Sequence, residues 1–252
     1  MCIRDSLATD HSDYRRQKLT EQRSVVVAAL KAGDVEQIKQ LIADGEKLHQ
    51  PLEGLGDCEP FKYAIEQQDI AMINVFMNRP ESDRPDMKIW MNNMMATGNR
   101  EIIDILFDAE GRDPGSLGYA LNVAVSSDSR EAFDYAISLG GDPNYMYSYT
   151  ALMIAAQGNM LDYATDLIKA GANVDTVHQS SWGKTNRTAL SFAAEGGHAE
   201  MVQLLLAHKA DPTIADDDGK QPIDWARSRD HQAVVDLLAA AIKSESNQGT
   251  RP

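Results

Sequence analysis

The feature that most constrains the fold is residues 188–212, a stretch that reads as two short helices with a glycine turn between them. The first helix carries small apolar residues on one side, and the second carries a largely apolar run at residues 201–206. Gly196-Gly197 separates the two helices, and glycine adopts positive φ at little steric cost. A single helix hairpin leaves one apolar face in water, because it has no second layer to cover that face. We therefore expect this unit to pack against copies of itself.

Copies of the unit occur in both directions at a regular spacing. Residues 188–206 have the pattern T-x-L-x-x-A-A-x-x-G-H-x-E-x-V-x-x-L-L. Gln221-Pro222-Ile223 begins the next copy, and Thr150-Ala151-Leu152 begins the previous one, with Asn159 at the turn position of Gly197. Weaker copies keep the register further upstream. The openings of the units, spaced 30–38 residues apart, are Ser24, Glu59, Ile89, Tyr119, Thr150, Thr188 and Gln221.

This pattern and its spacing resemble the ankyrin repeat, whose period is about 33 residues. The resemblance extends over roughly residues 20–242, nearly the whole chain. It implies an all-α ankyrin-repeat solenoid of about seven helix-turn-helix units. It also implies that the turns between units project as finger loops and that the exposed side of the first helices forms a concave groove. A solenoid of this kind derives its stability from each unit and from the interfaces between neighbours.

The organisation predicted for the chain is one ankyrin-repeat domain over residues 21–243, preceded by a polar helical leader at 7–20. Residues 244–252 are polar and are expected to be disordered. We interpret residues 1–6 as the translation of a sequencing adapter and exclude them from the fold. The natural N-terminus is then expected to lie upstream. Residues 176–187 form an insertion, since the step from Thr150 to Thr188 is the longest between units.

Composition and charge bound the class of partner. The chain has 43% hydrophobic and 25% charged residues, and no uninterrupted apolar run of the length needed to span a bilayer. Its net charge of −14 disfavours nucleic acid and anionic membranes, and favours a protein partner with a neutral or basic face. Outside the adapter sequence Cys58 is the one cysteine, which suits a reducing compartment. We therefore predict a cytoplasmic monomer.

The sequence motifs point away from catalysis and bound metal. Nucleophile-elbow, phosphate-loop and C-x-x-C motifs do not occur. Asp216-Asp217-Asp218-Gly219 is similar to part of a calcium loop, but Ile214 and Trp225 occupy the positions that need oxygen ligands. Under the resemblance, His198 and His231 are the structural histidines of successive repeats. The sequon Asn186-Arg187-Thr188 coincides with a repeat opening, so chance accounts for it. We predict no catalytic, cofactor or metal residues, and hence a non-enzyme.

Aromatic residues indicate where a partner binds. Tyr147 and Tyr149 lie in the finger before Thr150, and Trp182 lies in the insertion. Phe192 and Trp225 occupy the same place in successive first helices. Trp and Tyr dominate the energetics of interfaces. The predicted partner-binding residues are Tyr147, Tyr149, Trp182, Lys184, Phe192, Asp217, Lys220 and Trp225. The alternative for Phe192 and Trp225 is that they pack against each other across the repeat boundary.

The resulting hypothesis is a non-catalytic protein–protein interaction module that binds its partner through the concave groove and the fingers. The alternative function is the targeting fragment of a larger enzyme or effector, whose catalytic domain lies upstream. A third interpretation, a structural spacer, is favoured if the finger aromatics are buried.

Overall fold

The computed structural model describes residues 23–46, 48, 52, 55, 59–79, 87–110, 112, 114–178 and 186–248. The predicted adapter sequence, the polar leader, Trp182 and Lys184 lie outside these residues. Contacts between Cα atoms divide the chain into two compact units, Met1–Ala109 and Glu110–Pro252. The single domain predicted over residues 21–243 stays a prediction.

The prediction of an all-α fold is confirmed. Apart from an isolated bridge at Leu52, the regular structure of the described residues is helical. The first helix, α1, covers residues 23–32. The helices that follow are α2 (Val35–Ala43), α3 (Pro60–Glu66), α4 (Ile70–Met77), α5 (Met87–Ala96), α6 (Arg100–Glu110), α7 (Pro114–Ser126), α8 (Arg130–Ser138), α9 (Ala151–Gln157), α10 (Leu161–Lys169), α11 (Ala189–Gly196), α12 (Ala199–Ala207), α13 (Pro222–Ser228) and α14 (Gln232–Gln248).

The best-matching repeats begin where their sequence predicts. Thr150 and Thr188 are the N-caps of α9 and α11, and their hydroxyls accept hydrogen bonds from Met153 N and Ser191 N at 3.3 Å. A threonine hydroxyl in this position satisfies a backbone N–H that the helix itself leaves unpaired. Gln221 caps α13, whose first residue is a proline. The openings at these three positions therefore follow from local capping chemistry.

Two boundaries differ from the sequence prediction. The helix α7 begins at Pro114, ahead of the predicted opening at Tyr119, so that Tyr119 lies inside the helix. Proline is favoured in the first turn because the N–H groups there have no acceptor within the helix, so a residue without an N–H loses no hydrogen bond. The helix α14 continues to Gln248, so residues 244–248 are helical and the expected disorder there is wrong. The alanine run 239–241 and the residues after it have adequate helix propensity to extend the helix.

Within residues 110–252 the helices pack in two rows. The first helices α7, α9, α11 and α13 contact one another in order, and the second helices α10, α12 and α14 form a parallel row. Each of the first helices buries at least one alanine, and α9 and α11 bury three each, which allows close approach between neighbours. At the turns, Gly197 has φ +73° and Asn159 has φ +55°, as the substitution of Asn for Gly predicts.

Candidate functional site

The loop between α8 and α9, which we call the tyrosine loop, carries Tyr145, Tyr147 and Tyr149 and is held in place by side chains of α7. The buried Asn122 of α7 donates its Nδ2 to the carbonyl oxygen of Tyr149 at 2.8 Å. The ring of Tyr119 makes edge contacts with Tyr147, at 5.3 Å between centroids, and with Tyr145, at 6.3 Å. Tyr147 remains 73% exposed. The tyrosine loop is therefore anchored to α7 and presents the ring of Tyr147 to solvent.

Hydrogen bonds join the finger loops of successive repeats, which precede α9, α11 and α13. Asn144 donates from Nδ2 to the Gly171 carbonyl at 3.1 Å, and its Oδ1 accepts from Asn173 N at 2.7 Å. One repeat further on, the Asp211 N–H donates to Asp175 Oδ1 at 2.9 Å. Because short Asn and Asp side chains reach the neighbouring backbone, adjacent fingers are held at a fixed spacing.

The two repeat histidines, each just before a second helix, make an equivalent link to the first helix of the preceding repeat. The Nε2–H of His198 donates to the carbonyl oxygen of Gln157 at 3.1 Å, and that of His231 donates to Glu195 O at 3.0 Å. Each ring therefore satisfies a carbonyl at the C-terminal end of the preceding first helix, where the helix leaves acceptors unpaired. This bonding is a structural role, in agreement with the resemblance.

The most distinctive arrangement lies around Arg187. Its guanidinium carbon is 4.3 Å from the ring centre of Phe192 and 4.1 Å from that of Trp225, so the cation contacts an aromatic ring from each of two successive repeats. The same guanidinium donates to Glu195 Oε2 at 2.6 Å and to the Ser191 carbonyl at 3.3 Å. We call this arrangement of Arg187, Phe192, Trp225 and Glu195 the guanidinium slot. Its cation–π contacts lie within the effective range of about 6 Å.

A second aromatic pair extends the slot toward the tyrosine loop. The buried imidazole of His178 is stacked on Tyr149 with ring centroids 4.3 Å apart and planes 8° from parallel. Tyr149 in turn meets Phe192 edge-on at 5.5 Å and is 37% exposed. The His178 N–H donates to the Arg187 carbonyl at 2.9 Å, which ties the two described ends of the insertion together. The two ends of the insertion are thus adjacent at the backbone of His178 and Arg187.

Acidic and basic side chains surround the slot. Trp225 Nε1 donates to Asp216 Oδ2 at 3.0 Å, and Lys220 Nζ lies 4.6 Å from the Trp225 ring centre. Asn186 Nδ2 donates to Asp217 Oδ1 at 2.6 Å. These contacts place Asp217 and Lys220, which are both exposed, at the rim of the guanidinium slot.

Burial and charge shift the protonation equilibria of two groups here. Burial raises the pKa of the Glu195 carboxyl, but the hydrogen bonds from Arg229 and Arg187 outweigh it and hold that pKa below its ordinary value. Burial lowers the pKa of the His178 imidazole, and the positive charge of Arg187 lowers it further. Near neutral pH the slot therefore combines an ionised carboxylate with a neutral imidazole.

Comparison with known families decides the class. The family model described as "Ankyrin repeats (3 copies)" matches residues 173–248, and that described as "Ankyrin repeat" matches residues 147–179. Residues 147–248 of the chain are ankyrin repeats. The matched residues contain Tyr147 and Tyr149, the guanidinium slot and both repeat histidines.

Relatives of this chain are longer proteins that it matches in part. Ankyrin repeat domain-containing protein 63 of Homo sapiens is 44% identical over 57 residues, 23% of this chain and 15% of the relative. Ankyrin repeat and KH domain-containing protein mask-1 of Caenorhabditis elegans is 36% identical over 137 residues, 54% of this chain and 5% of the relative. Palmitoyltransferase ZDHHC13 of Homo sapiens is 43% identical over 72 residues, 29% and 11% respectively.

The structure brings most of the predicted site residues together. Tyr149, Phe192 and Trp225 belong to one cluster with Lys220, and Asp217 joins it through Asn186. Tyr147 belongs to the adjoining tyrosine group. Phe192 is only 7% exposed, so it contributes as a wall of the slot and little as open surface.

Four members of this cluster were not among the predicted residues: Tyr119, His178, Arg187 and Glu195. The alternative in which Phe192 and Trp225 pack against each other omitted the guanidinium of Arg187, which contacts both rings. A signal for Arg187 was available, because a cation directly precedes the opening Thr188 while an aromatic stands four residues after it.

Two absences apply to the part of the chain that the structure describes. It contains no group of three His, Cys, Asp or Glu side chains placed to hold a metal ion. It also contains no helix with the length and apolar character required to cross a bilayer.

Proposed function

We propose that this chain is a non-catalytic interaction module that binds its protein partner on one face. The face is formed by the first helices and fingers of the repeats opening at Thr150, Thr188 and Gln221. Ankyrin repeats support a protein-interaction role, since stacked repeats form extended binding surfaces. The observation that carries the proposal is the presence of two exposed rings, Tyr147 and Tyr149, which pack against the rings of Tyr119 and Phe192 respectively.

Rigidity of the face supports the same proposal. The finger hydrogen bonds of Asn144 and Asp175 and the histidine bonds of His198 and His231 link every repeat of this region to its neighbour. A surface that is ordered before binding loses less conformational entropy when a partner docks. The exposed tyrosines add large contact area with few rotatable bonds, which is characteristic of interface anchors.

Charge indicates the kind of partner. The chain carries a net charge of −14, and Asp217 and Asp218 are exposed beside the slot. Lys220 adds a positive charge there, so the rim is mixed with an acidic bias. A partner with a neutral or basic face is therefore proposed, bound by a monomer of this chain. We place the interaction in the cytoplasm.

The experiment is selection of peptide ligands from a displayed random library on the immobilised chain. Selected peptides should bind the wild type, and the double substitution Tyr147→Ala with Tyr149→Ala should weaken them by at least about tenfold, as for interface hot spots. Tyr135→Ala on the second helix α8 is the matched control and should leave binding unchanged. Circular dichroism checks that all variants fold. Peptides that bind the double variant as tightly as the wild type would place the binding face elsewhere.

The length of the relatives favours one second candidate, the targeting fragment of a larger enzyme. Palmitoyltransferase ZDHHC13 is named as an enzyme, and the matched segment covers 11% of it. In this case the same face binds the partner, and a separate domain supplies the chemistry. Sequencing the genomic locus on both sides of this coding region tests the candidate. An adjoining in-frame catalytic domain supports it, and flanking stop codons exclude it.

A further inference from the structure

The walls and the occupant of the guanidinium slot come from different parts of the chain. Phe192 lies on α11 and Trp225 lies on α13, and both helices belong to the row of packed first helices. Arg187, by contrast, lies in the loop that precedes α11. The walls are therefore part of the repeat scaffold, whereas the side chain between them is supplied by a finger.

The chemistry of the slot suits a guanidinium in particular. Two aromatic rings lie 4.1 and 4.3 Å from the guanidinium carbon, and the Glu195 carboxylate accepts from it at 2.6 Å. A guanidinium is planar and weakly hydrated, so it can stack on a ring while its edge donates to a carboxylate. A compact ammonium ion keeps its water more strongly and cannot stack in this way.

The resident side chain does not use the slot completely. The Nε of Arg187 is buried and has no hydrogen-bond partner among the described residues. A buried donor without an acceptor is unfavourable compared with the same donor in water. The main chain at this point is held separately, because the Arg187 carbonyl accepts from His178 N and Thr188 caps α11. The side chain can therefore leave by rotation about its own bonds while the backbone stays in place.

Charge around the opening complements a cationic guest. The carboxylate of Asp216 accepts from Trp225 Nε1, and Asp217 and Asp218 lie exposed on the same loop. Glu195 also accepts from Arg229 through its other oxygen at 2.7 Å, which keeps the carboxylate oriented when one guanidinium departs. Several carboxylates are thus within the loop and helix that border the slot.

We propose that the guanidinium slot binds an arginine side chain of the protein partner, and that Arg187 is an internal occupant which the partner's arginine replaces. The inference rests on the proposed function, because that arginine arrives on a partner docked at the same face. The proposal predicts that two substitutions change the affinity for the partner in opposite directions. Removal of Arg187 opens the site and strengthens binding, whereas removal of the Trp225 ring destroys a wall and weakens binding.

The first test uses methylguanidinium as the probe and the indole N–H signal of Trp225 in nitrogen-15 NMR spectra as the readout. In Arg187→Ala we expect saturable binding, at least about tenfold tighter than in the wild type, where the resident side chain competes. Arg187→Ala combined with Trp225→Phe, followed through the Phe192 ring protons, should bind more weakly than Arg187→Ala. Methylammonium should bind Arg187→Ala at least about tenfold more weakly than methylguanidinium.

Arg229→Ala is the matched control, since Arg229 bonds the other oxygen of the same carboxylate and its side chain is 58% exposed. It should bind methylguanidinium no better than the wild type. If Arg187→Ala loses its helical circular dichroism, Arg187→Gln, which keeps a long polar side chain, takes its place. Equal affinity of Arg187→Ala and Arg229→Ala for methylguanidinium would overturn the proposal.

The second test separates this inference from the proposed function. Peptides selected on the wild-type face should contain an arginine whose replacement by lysine weakens binding, and Arg187→Ala should tighten their binding. Peptides that bind through Tyr147 and Tyr149 without any dependence on arginine would uphold the proposed function and overturn the slot. Methylguanidinium binding without any peptide on the tyrosine face would support the chemistry of the slot and count against the proposed function.

Discussion

The repeats opening at Thr150 and Thr188 and those opening at Glu59 and Ile89 build helix pairs from different side chains. In the former, the first helices α9 and α11 are buried mainly through alanines and leucines. In the latter, α3 to α5 bury large rings and thioethers, and Phe61 makes edge contacts with both Phe76 and Trp90 at 5.7 and 5.8 Å. We call these two regions the alanine region (residues 150–210) and the methionine region (residues 59–110).

The capping of the first helices differs in the same direction, although the second helix α4 of the methionine region is itself capped by Asp69. In the alanine region Thr150 and Thr188 cap their helices, and His198 bonds the preceding helix. In the methionine region the N-cap of α3 is Glu59, whose side chain makes no capping bond within the described residues. One link between its repeats is a side-chain bond from Asn99 Nδ2 to Gln68 Oε1, on exposed groups.

Packing differs as well. Met91, Met94 and Met95 are buried in α5. Methionine fills irregular space because its side chain is unbranched and flexible. The comparison teaches that the same helix pair can be filled by small residues in one region and by large, flexible residues in another. The alanine region, which carries part of the proposed binding face, caps its first helices with threonine hydroxyls and bonds neighbouring repeats through His198.

The largest difference between the regions should appear when a buried side chain is truncated. Leu205 and Met94 are both fully buried. We expect Leu205→Ala to lower the free energy of unfolding by about 2–5 kcal/mol, because tightly packed neighbours cannot collapse into the cavity. Met94→Ala should cost less, since the adjacent methionines can move into the space. Chemical denaturation of both variants measures this. A larger loss for Met94→Ala would contradict the difference in packing.

A glycine in α7 sharpens the comparison at the tyrosine loop. A Cβ added to Gly118 would lie 2.4 Å from Tyr145 Cβ and 2.8 Å from the Asp142 carbonyl oxygen. Gly118→Ala should therefore cost about 1–3 kcal/mol through overpacking, against the gain of roughly 1 kcal/mol that alanine brings in an open helix. Thermal denaturation gives the result. A stabilised variant would show that the loop yields easily.

The repeat histidines test whether neighbour bonds matter. His198→Ala removes the hydrogen bond to the Gln157 carbonyl and should cost about 0.5–1.5 kcal/mol. His208→Ala, at an exposed position on the same repeat, is the control and should stay within about 0.5 kcal/mol. Equal losses in urea denaturation would mean that the bond contributes nothing to stability.

These expectations separate what could be predicted from the sequence from what could not. The openings at Thr150 and Thr188 and the buried alanines of α9 and α11 follow from a pattern within single repeats. Capping and close helix packing are local, so one repeat contains the information.

The guanidinium slot depends on distant residues. Arg187, Phe192 and Trp225 meet because the loop returns to a junction between two repeats, and no spacing in one repeat specifies that return. The early start of α7 has a different cause, because the repeat pattern places the opening at Tyr119 while Pro114 already provides a favoured first residue for the helix.

The smallest expected effect is on the pH dependence of stability. The pKa of His178 is lowered by burial and then by Arg187, so the unfolded chain takes up the proton more readily than the folded one. The contribution of the neutral imidazole is present above the unfolded pKa of about 6.5 and is lost as the pH falls below it. His178→Gln should make the free energy of unfolding, measured by denaturant titration, less dependent on pH between about pH 7 and pH 5. An unchanged slope would contradict the burial of this ring.

Amide hydrogen exchange along the full chain tests the central claim most directly, because it reports the opening of each repeat separately. The account predicts that backbone amides in residues 150–210 exchange more slowly than those in residues 59–110, by at least about tenfold in the helices of each region. Such a gradient would show that the repeats whose first helices are capped by threonine and bonded to their neighbours form the more rigid of the two regions. Uniform exchange, or slower exchange in residues 59–110, would contradict the account.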